Sequence, residues 1–528
     1  MKPARGRRTR PAAAAAAAAA TAALVAVAAS RVWISPAVSG GSGIVGRGGG
    51  MGERETSSSL DERPLSTIVV VDAGSSGCRL NVYRVDGERD SMKVSGIAGG
   101  KIEPGLSAFA ESPRDAAMHL LPLLSRVTEL VPREGHPRTR VFIKSTAGMR
   151  LLPEETQDAI YDEIYEFLLS HPEFPFTLQR GDLGTIDGDK EAFYAVLSAN
   201  YLKGRIDARL HPTGHEAGPV GALDMGGAST QIIFRHPERV LLFGSEGVDR
   251  GGNDEGGVVW EDDGAIVETR QVLAPEEAES KRGKEAIGPV TEGDFWGVSH
   301  LGYGVSEVRS KVWSYLVERH AESGGSVERD VVNPCSFVDR VDFWKGYRLL
   351  GSGDLTLCEK MVSDVLWGRD DPEGEGRSGD GKWAEQARGI GGVSMPEVSG
   401  DFLAMSVFFY AMHCLHELGP AELVAWPEPT LAEVRRAAEE FCAMEWEVVL
   451  EDHSWAGISK QTTSQEGLAH RCVEVVYMTT LLRDGYGFPE HSRNVIYALE
   501  SDGMEVEWTL GYALAELAQA AGPLPPEE

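Results

Sequence analysis

Val69 to Val85 reads VVVDAGSSGCRLNVYRV, and this stretch decides the fold. A continuous apolar run ends in Asp72, a Gly/Ser turn follows, and Arg79 to Val85 mixes apolar with polar residues. This pattern predicts a strand, a tight turn and a second strand. The chain repeats the arrangement, because Val220 to Asp224 also ends in an acid, MGGAS follows, and Thr230 to Phe234 leaves as another apolar run.

The two acids of this repeat, Asp72 and Asp224, are 152 residues apart. Equivalent strand–turn–strand units at such a distance indicate two similar halves that present their turns to a shared cleft. Strand and helix patterns alternate around them, which predicts an α/β fold with two lobes. Apolar spacing also predicts four further helices, at Thr156 to Leu169, Ala192 to Leu202, Gly400 to Leu418 and Leu431 to Leu450.

Composition narrows the function classes. The chain has 528 residues, 42% hydrophobic and 25% charged, which excludes a fibrous or wholly disordered protein. Its 51 Lys and Arg residues against 81 Asp and Glu residues give a net charge of −30, which repels nucleic acid phosphates and predicts no nucleic acid partner. Two acidic, Gly-rich segments, 244–293 and 368–392, are predicted to be exposed loop inserts.

Residues 1–52 differ in character from the rest, since they contain seven basic residues and no acidic ones. A basic run precedes the apolar, alanine-rich stretch from Ala12 to Ala29, and Gly/Ser-rich sequence follows. This order predicts a signal peptide or signal-anchor with a flexible stem, and therefore the secretory pathway, with either secretion or a single amino-terminal membrane anchor. An organelle transit peptide is the alternative, because such segments are also arginine-rich and poor in acids.

Phosphate chemistry is what the two turns can support. Glycines such as Gly74 and Gly226 let backbone N–H groups approach a phosphate closely. An acid at the end of the preceding strand can hold a hydrated divalent cation through its water ligands, as Mg²⁺ favours. Thr146 follows a strand and precedes a helix, where anions are stabilised, although an ordinary helix cap explains it equally. Glu191 lies in a first helical turn, where the helix dipole alone accounts for an acid.

Six cysteines allow many disulfide pairings. Pairs Cys335 with Cys358 and Cys442 with Cys472 would close loops of 23 and 30 residues by sequence separation. Buried free thiols are the alternative, which is the common state in a reducing compartment.

Four ordered motifs resemble the signatures of the nucleoside triphosphate diphosphohydrolase, or apyrase, family. They are VVVDAGSSGCRLNVYRV (69–85), KSTAGMRLL (144–152), IDGDKEAFYAVLSANYL (186–202) and GALDMGGASTQIIF (221–234). Near the carboxyl end, CAMEWEVV (442–449) and MEVEWTLG (504–511) are most similar to the Golgi and lysosomal branch. The resemblance implies a two-lobed actin-like (ribonuclease H-like) fold with the active site in the interlobe cleft. It places lobe I at 60–187 with 490–520, and lobe II at 188–489.

The resemblance also assigns roles within the motifs. It makes Glu191 the general base that activates the attacking water, with Ser229 and Gln231 holding that water. It makes Asp72 and Asp224 the acids that hold Mg²⁺ or Ca²⁺ through water. Tyr410 is the predicted nucleobase contact. The resemblance places Cys335 and Cys358 among the disulfide cysteines of the second lobe and makes Cys442 with Cys472 similar to a bridged pair, while the full connectivity stays open. The predicted phosphate-binding residues are Gly74, Ser75, Ser76, Gly77, Thr146, Gly226, Gly227 and Ala228.

The predicted activity is therefore metal-dependent hydrolysis of the terminal phosphates of nucleoside di- and triphosphates. An actin-like small-molecule kinase and a non-catalytic nucleotide-binding regulator are the alternatives. Three positions depart from the family pattern: Val196 replaces a common tryptophan, Lys190 a common second acid, and Cys78 a common threonine. None of these removes a group that the chemistry requires.

Overall fold

The computed structural model describes residues 67–87, 92–215, 218–235, 288–323, 329–368, 389–455, 463–501 and 503–521. The predicted amino-terminal segment, 1–52, lies outside these ranges, as do most of the two predicted inserts. Among the described residues, no helix combines the length and apolarity that a bilayer crossing requires.

Fifteen strands and thirteen α-helices make up the described part of the chain. The strands are β1 (Thr67–Ala73), β2 (Cys78–Asp86), β3 (Lys93–Ile102), β4 (Arg140–Ser145), β5 (Leu183–Thr185), β6 (Gly221–Met225), β7 (Ser229–Arg235), β8 (Phe295–Leu301), β9 (Asp330–Asn333), β10 (Val341–Trp344), β11 (Tyr347–Gly351), β12 (Phe402–Ala404), β13 (Val495–Tyr497), β14 (Glu500–Ser501) and β15 (Met504–Glu505). The helices are α1 (Pro113–Ser125), α2 (Val127–Leu130), α3 (Ala147–Arg150), α4 (Glu154–Ser170), α5 (Gly188–Leu202), α6 (Val305–Glu322), α7 (Leu355–Trp367), α8 (Val407–Leu418), α9 (Leu431–Cys442), α10 (Trp446–Trp455), α11 (Gln465–Leu468), α12 (Arg471–Thr480) and α13 (Trp508–Ala521).

Two five-stranded sheets share one topology. The first has the order β3-β2-β1-β4-β5, and the second has the order β8-β7-β6-β12-β13. In each sheet the central strand pairs antiparallel with the next strand of its hairpin and parallel with the strand on its other side. The register also matches, since Asp72 pairs with Arg79 and Asp224 with Gln231. The predicted repeat is therefore confirmed as a duplicated α/β unit.

The apolar runs are long because each central strand is covered on both faces. All seven residues of β1 are buried. Val69 and Val71 pack with α1 and α4, whereas Ile68 and Val70 face the core that includes α5 and α13. The second sheet packs one face on that same core and the other on α6, α8, α9 and α12.

Helices α5 and α13 form the layer between the two sheets. They cross at Gly511, where a Cβ atom would lie 1.9 Å from the Tyr194 carbonyl oxygen. Only glycine permits such a close helix crossing. The start of α5, which carries Glu191, is thereby fixed between the sheets.

Two disulfides are present among the described residues, Cys335–Cys358 and Cys442–Cys472. They join α7 to the segment after β9, and α9 to α12. Closing loops of 23 and 30 residues contributes about 3 kcal/mol each in the chain-entropy description. Cys78 and Cys414 are buried free thiols.

Two predicted helices are wrong in extent. Residues 400–418 contain strand β12 before α8, because Phe402, Leu403 and Ala404 insert between β6 and β13 as a fully buried parallel strand. A short apolar run of this kind fits a buried strand as well as a helix. Residues 431–450 form two helices, because the chain bends at Glu445 to form a bridge with Val338.

The lobe boundaries stay predictions. Strand β13 falls in the range predicted for lobe I, 490–520, but pairs with the sheet of the second half. Helix α13 from the same range packs on α5 and against β1 and β2.

Candidate active site

The turns after β1 and β6 face each other across one cleft. A Cβ atom on Gly227 would lie 2.7 Å from the Ser75 hydroxyl oxygen, so the two turns nearly touch. The predicted site residues that line this cleft are Asp72, Gly74, Ser75, Ser76, Gly77, Thr146, Glu191, Asp224, Gly226, Gly227, Ala228 and Ser229. The sequence repeat therefore corresponds to a single concave site.

Each turn is supported from behind by a glycine of another loop. A Cβ on Gly105 would lie 2.1 Å from the Gly74 carbonyl oxygen, and one on Gly304 would lie 2.4 Å from the Ala228 nitrogen. The carbonyls of Gly226 and Gly227 accept hydrogen bonds from the first residues of α6. These contacts hold the turns in the orientation that a phosphate-binding backbone needs.

Asp72 and Asp224 are both buried, at 9% and 5% exposure. The pKa of Asp72 is raised to about 7, mainly by burial; Arg79 and Lys101 lower it, and the neighbouring carboxylates Glu507 and Asp224 add to the increase. Burial also raises the pKa of Asp224, against a hydrogen bond from the Ser406 side chain. Burial and mutual repulsion of the acids thus outweigh the nearby positive charges at both aspartates.

A hydrated divalent cation fits this donor set. The Oδ1 atom of Asp72 is buried without a hydrogen-bond partner. No group of three or more His, Cys, Asp or Glu side chains among the described residues is arranged to chelate a metal directly. Two facing carboxylates with an unsatisfied oxygen suit an ion that keeps most of its water, as Mg²⁺ does.

Glu191 lies in the first turn of α5 and is 6% exposed. The Gln231 amide donates to Glu191 Oε2 at 3.1 Å, and to the hydroxyl oxygens of Ser229 and Ser299 at 2.8 and 2.9 Å. Gln231 itself lies behind the cleft wall, as the partner that links the glutamate to the two serines. The three predicted catalytic residues are therefore in one hydrogen-bonded group.

Arg150, the last residue of α3, also contacts Glu191. One guanidinium nitrogen, Nη2, forms an ion pair with Glu191 Oε2 and lies 3.4 Å from the Ser229 hydroxyl oxygen. Burial raises the pKa of Glu191 to about 8; Arg150 lowers it, whereas Asp224 and Asp72 raise it. The carboxylate form, which is the form that accepts a proton, therefore becomes populated as the pH increases toward about 8.

Tyr410 is not brought together with the other predicted residues. It lies in α8, half-buried beside Phe409, and is not among the residues that line the cleft. Its role as a nucleobase contact stays a prediction.

A sequence profile of the GDA1/CD39 (nucleoside phosphatase) family matches residues 61–245 and 280–521. The chain belongs to this nucleoside phosphatase family. Ectonucleoside triphosphate diphosphohydrolase 4 of Mus musculus is 26% identical over 490 residues, which span 84% of this chain and 72% of the relative. The Golgi apyrase of Schizosaccharomyces pombe is 26% identical over 482 residues, which span 84% of this chain and 74% of the relative. Nucleoside-diphosphatase mig-23 of Caenorhabditis briggsae is 26% identical over 478 residues, which span 86% of this chain and 77% of the relative.

A crystal structure of nucleoside triphosphate hydrolases from Neospora caninum superposes with a TM-score of 0.55 at 15% identity. The match covers 86% of this chain and 92% of that one. At this identity the likeness concerns the fold alone. Together with the duplicated sheets, it confirms the predicted two-lobed, actin-like architecture.

Several cleft residues of this nucleoside phosphatase family member were not predicted as site residues: Arg79, Lys101, Ala147, Met225, Ser406, Val407, Glu507 and Trp508. Ser406 precedes α8 just as Thr146 precedes α3, but the prediction of one helix over 400–418 obscured this match. Arg150 is within the quoted KSTAGMRLL motif, and its place one helical turn after Thr146 is the signal that could have identified it.

The departures from the family pattern are accommodated locally. Lys190 forms an ion pair with Glu292 at 2.9 Å on the surface, on the side of the helix away from the cleft residues. Val196 is fully buried in the core between the sheets. Neither contacts the hydrogen-bonded group around Glu191.

Gly227→Ala tests the closeness of the two turns. The added methyl group meets the Ser75 hydroxyl, and overpacking of this kind costs roughly 1–3 kcal/mol. We expect KM for nucleotide to rise about tenfold and the melting temperature to fall by roughly a few degrees. Gly184→Ala is the matched control, since nothing lies within 4 Å of the added Cβ. An unchanged KM in Gly227→Ala would show that the turns are farther apart in solution.

Proposed function

We propose that this chain hydrolyses the terminal phosphates of nucleoside di- and triphosphates with the help of Mg²⁺ or Ca²⁺. The observation that carries the proposal is the meeting of two acid-ended, Gly-rich turns in one cleft that also contains Glu191. Family membership and the names of the relatives, which include a Golgi apyrase and a nucleoside-diphosphatase, support the same activity.

The substrate is bound mainly through its phosphates. The backbone of Gly74, Ser75 and Ser76 on one side, and of Gly227 on the other, lies in exposed or half-buried residues and provides donors to the phosphate oxygens. The Gly226 N–H donates instead to the Ser229 carbonyl oxygen and closes its own turn. The Thr146 hydroxyl and the following amides add donors from the end of β4. Donors aimed at the oxygens of a transferring phosphoryl group stabilise the charge that spreads over them.

Asp72 and Asp224 are the residues that would hold the cation through its water ligands. When bound, a divalent cation neutralises phosphate charge and orients the terminal phosphoryl group. It would also add positive charge beside two buried carboxylates whose ionised forms are disfavoured by burial.

Glu191 acts as the general base. Its carboxylate takes a proton from a water molecule, the water oxygen bonds to the terminal phosphorus, and the bond to the leaving phosphate oxygen breaks. Ser229 and Gln231 orient the water and the carboxylate, because both belong to the hydrogen-bonded group around Glu191 Oε2. No covalent phosphoenzyme forms in this scheme.

The alternatives differ in measurable ways. A kinase with this fold needs a second, acceptor substrate, whereas hydrolysis needs only water. A nucleotide-binding regulator would have Glu191 directed away from the cleft, and the position of Glu191 in the cleft wall favours catalysis instead.

Phosphate release from a panel of UDP, GDP, ADP and ATP tests the proposal. We expect release without any added acceptor, abolished by EDTA and restored by Mg²⁺ or Ca²⁺. Turnover only in the presence of a small-molecule acceptor would favour the kinase, and nucleotide binding without turnover would favour the regulator.

We further propose that the protein acts in the secretory pathway, in the Golgi or an endolysosomal lumen. The disulfides suit an oxidising compartment, and the relatives include a Golgi apyrase. The composition of residues 1–52 supports a signal peptide or a single amino-terminal anchor, with an organelle transit peptide as the alternative.

A further inference from the structure

Arg150 links the two halves of the molecule at the cleft. It ends the short helix that follows β4 of the first sheet, whereas its partners Glu191 and Ser229 belong to α5 and to β7 of the second sheet. The Arg150 and Glu191 side chains are only 14% and 8% exposed. A largely desolvated ion pair therefore connects the phosphate-binding Thr146 segment with the proposed general base.

Helix electrostatics alone does not explain the position of the Arg150 guanidinium group. Arg150 approaches the amino-terminal turn of α5, where the helix dipole stabilises anions and disfavours cations. The chain makes room for it there, since a Cβ on Gly188 would lie 2.4 Å from Arg150 Nη1. What offsets the unfavourable location is the contact with the Glu191 carboxylate.

The hydrogen-bond pattern indicates what this contact does. Arg150 and Gln231 both donate to Oε2 of Glu191. Among the described residues no donor to Oε1 is found, so Oε1 is the oxygen left to receive a proton from water. Two donors on one carboxylate oxygen fix the rotation of the group as well as its position.

We propose that Arg150 is a positioning residue: it orients the Glu191 carboxylate toward the attacking water when the two halves of the cleft are together. This inference rests on the proposed hydrolase function. Because Arg150 comes from the first half and Glu191 from the second, the base is fully ordered only when both halves contribute.

The charges that face Glu191 define the expected pH behaviour. Arg150 from α3 favours the ionised carboxylate, whereas Asp72 from β1 and Asp224 from β6 oppose it. The neighbours Gln231, Ser229 and Ser299 are neutral. Removing the arginine removes the positive charge that lowers the pKa of Glu191, so the pH at which Glu191 becomes active must increase.

The test compares phosphate release by the wild type, Arg150→Gln and Arg150→Lys across pH 6 to 11. In the wild type, kcat/KM rises with pH as Glu191 ionises. In Arg150→Gln we expect this rise to move up by about 1–3 pH units. We also expect kcat at its plateau to fall by up to about 100-fold, because the carboxylate is no longer held in place. Arg150→Lys keeps the charge, so its pH profile should stay near that of the wild type while kcat falls.

Arg140→Gln is the matched control. Arg140 also pairs with a buried acid, Asp182, at 2.6 Å, and it lies outside the cleft lining. It should lose stability without any shift of the pH profile. In a Glu191→Gln background, adding Arg150→Gln should cost little further activity, because both changes remove the same function.

Three outcomes separate the proposals. Phosphate release that is absent in the wild type overturns both the hydrolase function and this inference. Activity that depends on Glu191, with an Arg150→Gln profile that matches Arg140→Gln, overturns only the role of Arg150. If Arg150→Gln does not fold, Arg150→Lys decides, since wild-type kcat in that variant would contradict a positioning role.

Discussion

Replacing Glu191 with glutamine is expected to lower kcat by roughly 10²- to 10⁴-fold, the usual effect of losing a general base. Glutamine has the same shape and keeps an oxygen that accepts hydrogen bonds from Arg150 and Gln231. The cleft and its phosphate donors should therefore stay intact. Affinity for a non-hydrolysable nucleotide, measured by calorimetry, should change by less than about threefold, whereas phosphate release nearly disappears.

Glu359→Gln is the matched control for this prediction. Glu359 also receives an arginine, with two hydrogen bonds of 2.8 Å from Arg435, but it lies outside the cleft lining. The rate of phosphate release by Glu359→Gln should remain close to that of the wild type. Turnover in Glu191→Gln as high as in this control would refute the general-base assignment.

Asp224→Asn is expected to have the second largest effect. The amide keeps the size of the side chain and can still accept the hydrogen bond from Ser406, but it loses the charge that attracts a hydrated cation. Loss of a group that holds a metal through its water ligands typically costs about 10- to 100-fold in metal affinity or activity. The concentration of Mg²⁺ that gives half-maximal phosphate release should increase by a similar factor.

The folded state of Asp224→Asn should be at least as stable as that of the wild type, although its activity falls. Burial raises the pKa of Asp224, so the ionised form is disfavoured in the folded state. This stability penalty is absent below the ordinary pKa of aspartate and appears as the pH increases through it. At neutral pH, Asp224→Asn should therefore melt at or above the wild-type temperature in calorimetry without added cation.

Asp182→Asn supplies the control for both measurements. Asp182 is 1% exposed and paired with Arg140, so its neutral variant should melt at a lower temperature but need no more Mg²⁺ than the wild type. Equal Mg²⁺ requirements in Asp224→Asn and the wild type would contradict the proposed cation site.

The sequence was sufficient for the parts of the fold that depend on local patterns. The run from Thr67 to Asp72 predicted β1 because a strand covered on both faces is apolar throughout. The second hairpin followed from the same pattern around Asp224. Their convergence could be expected from the repeat, and the structure places both in one cleft.

The remaining features depend on packing that no local pattern encodes. Phe402–Ala404 is a strand only because β6 and β13 lie on either side of it, and this hid the placement of Ser406 at the cleft. The pairing of Arg150 with Glu191 joins residues 41 positions apart in different halves. Tyr410 was predicted from the family resemblance alone, and no sequence pattern indicates which face of its helix meets the cleft.

The matching strand order of the two sheets has a consequence for Glu507. Asp72 pairs with Arg79 where Asp224 pairs with Gln231, and Glu507 directly precedes α13 whereas Glu191 lies in the first turn of α5. Arg79 pairs with Glu507 at 3.3 Å, whereas the equivalent Gln231 gives Glu191 a neutral amide and the ion pair of Glu191 is with Arg150. Both arginines come from the first half of the chain, so the twofold likeness of the two sheets does not extend to their charges.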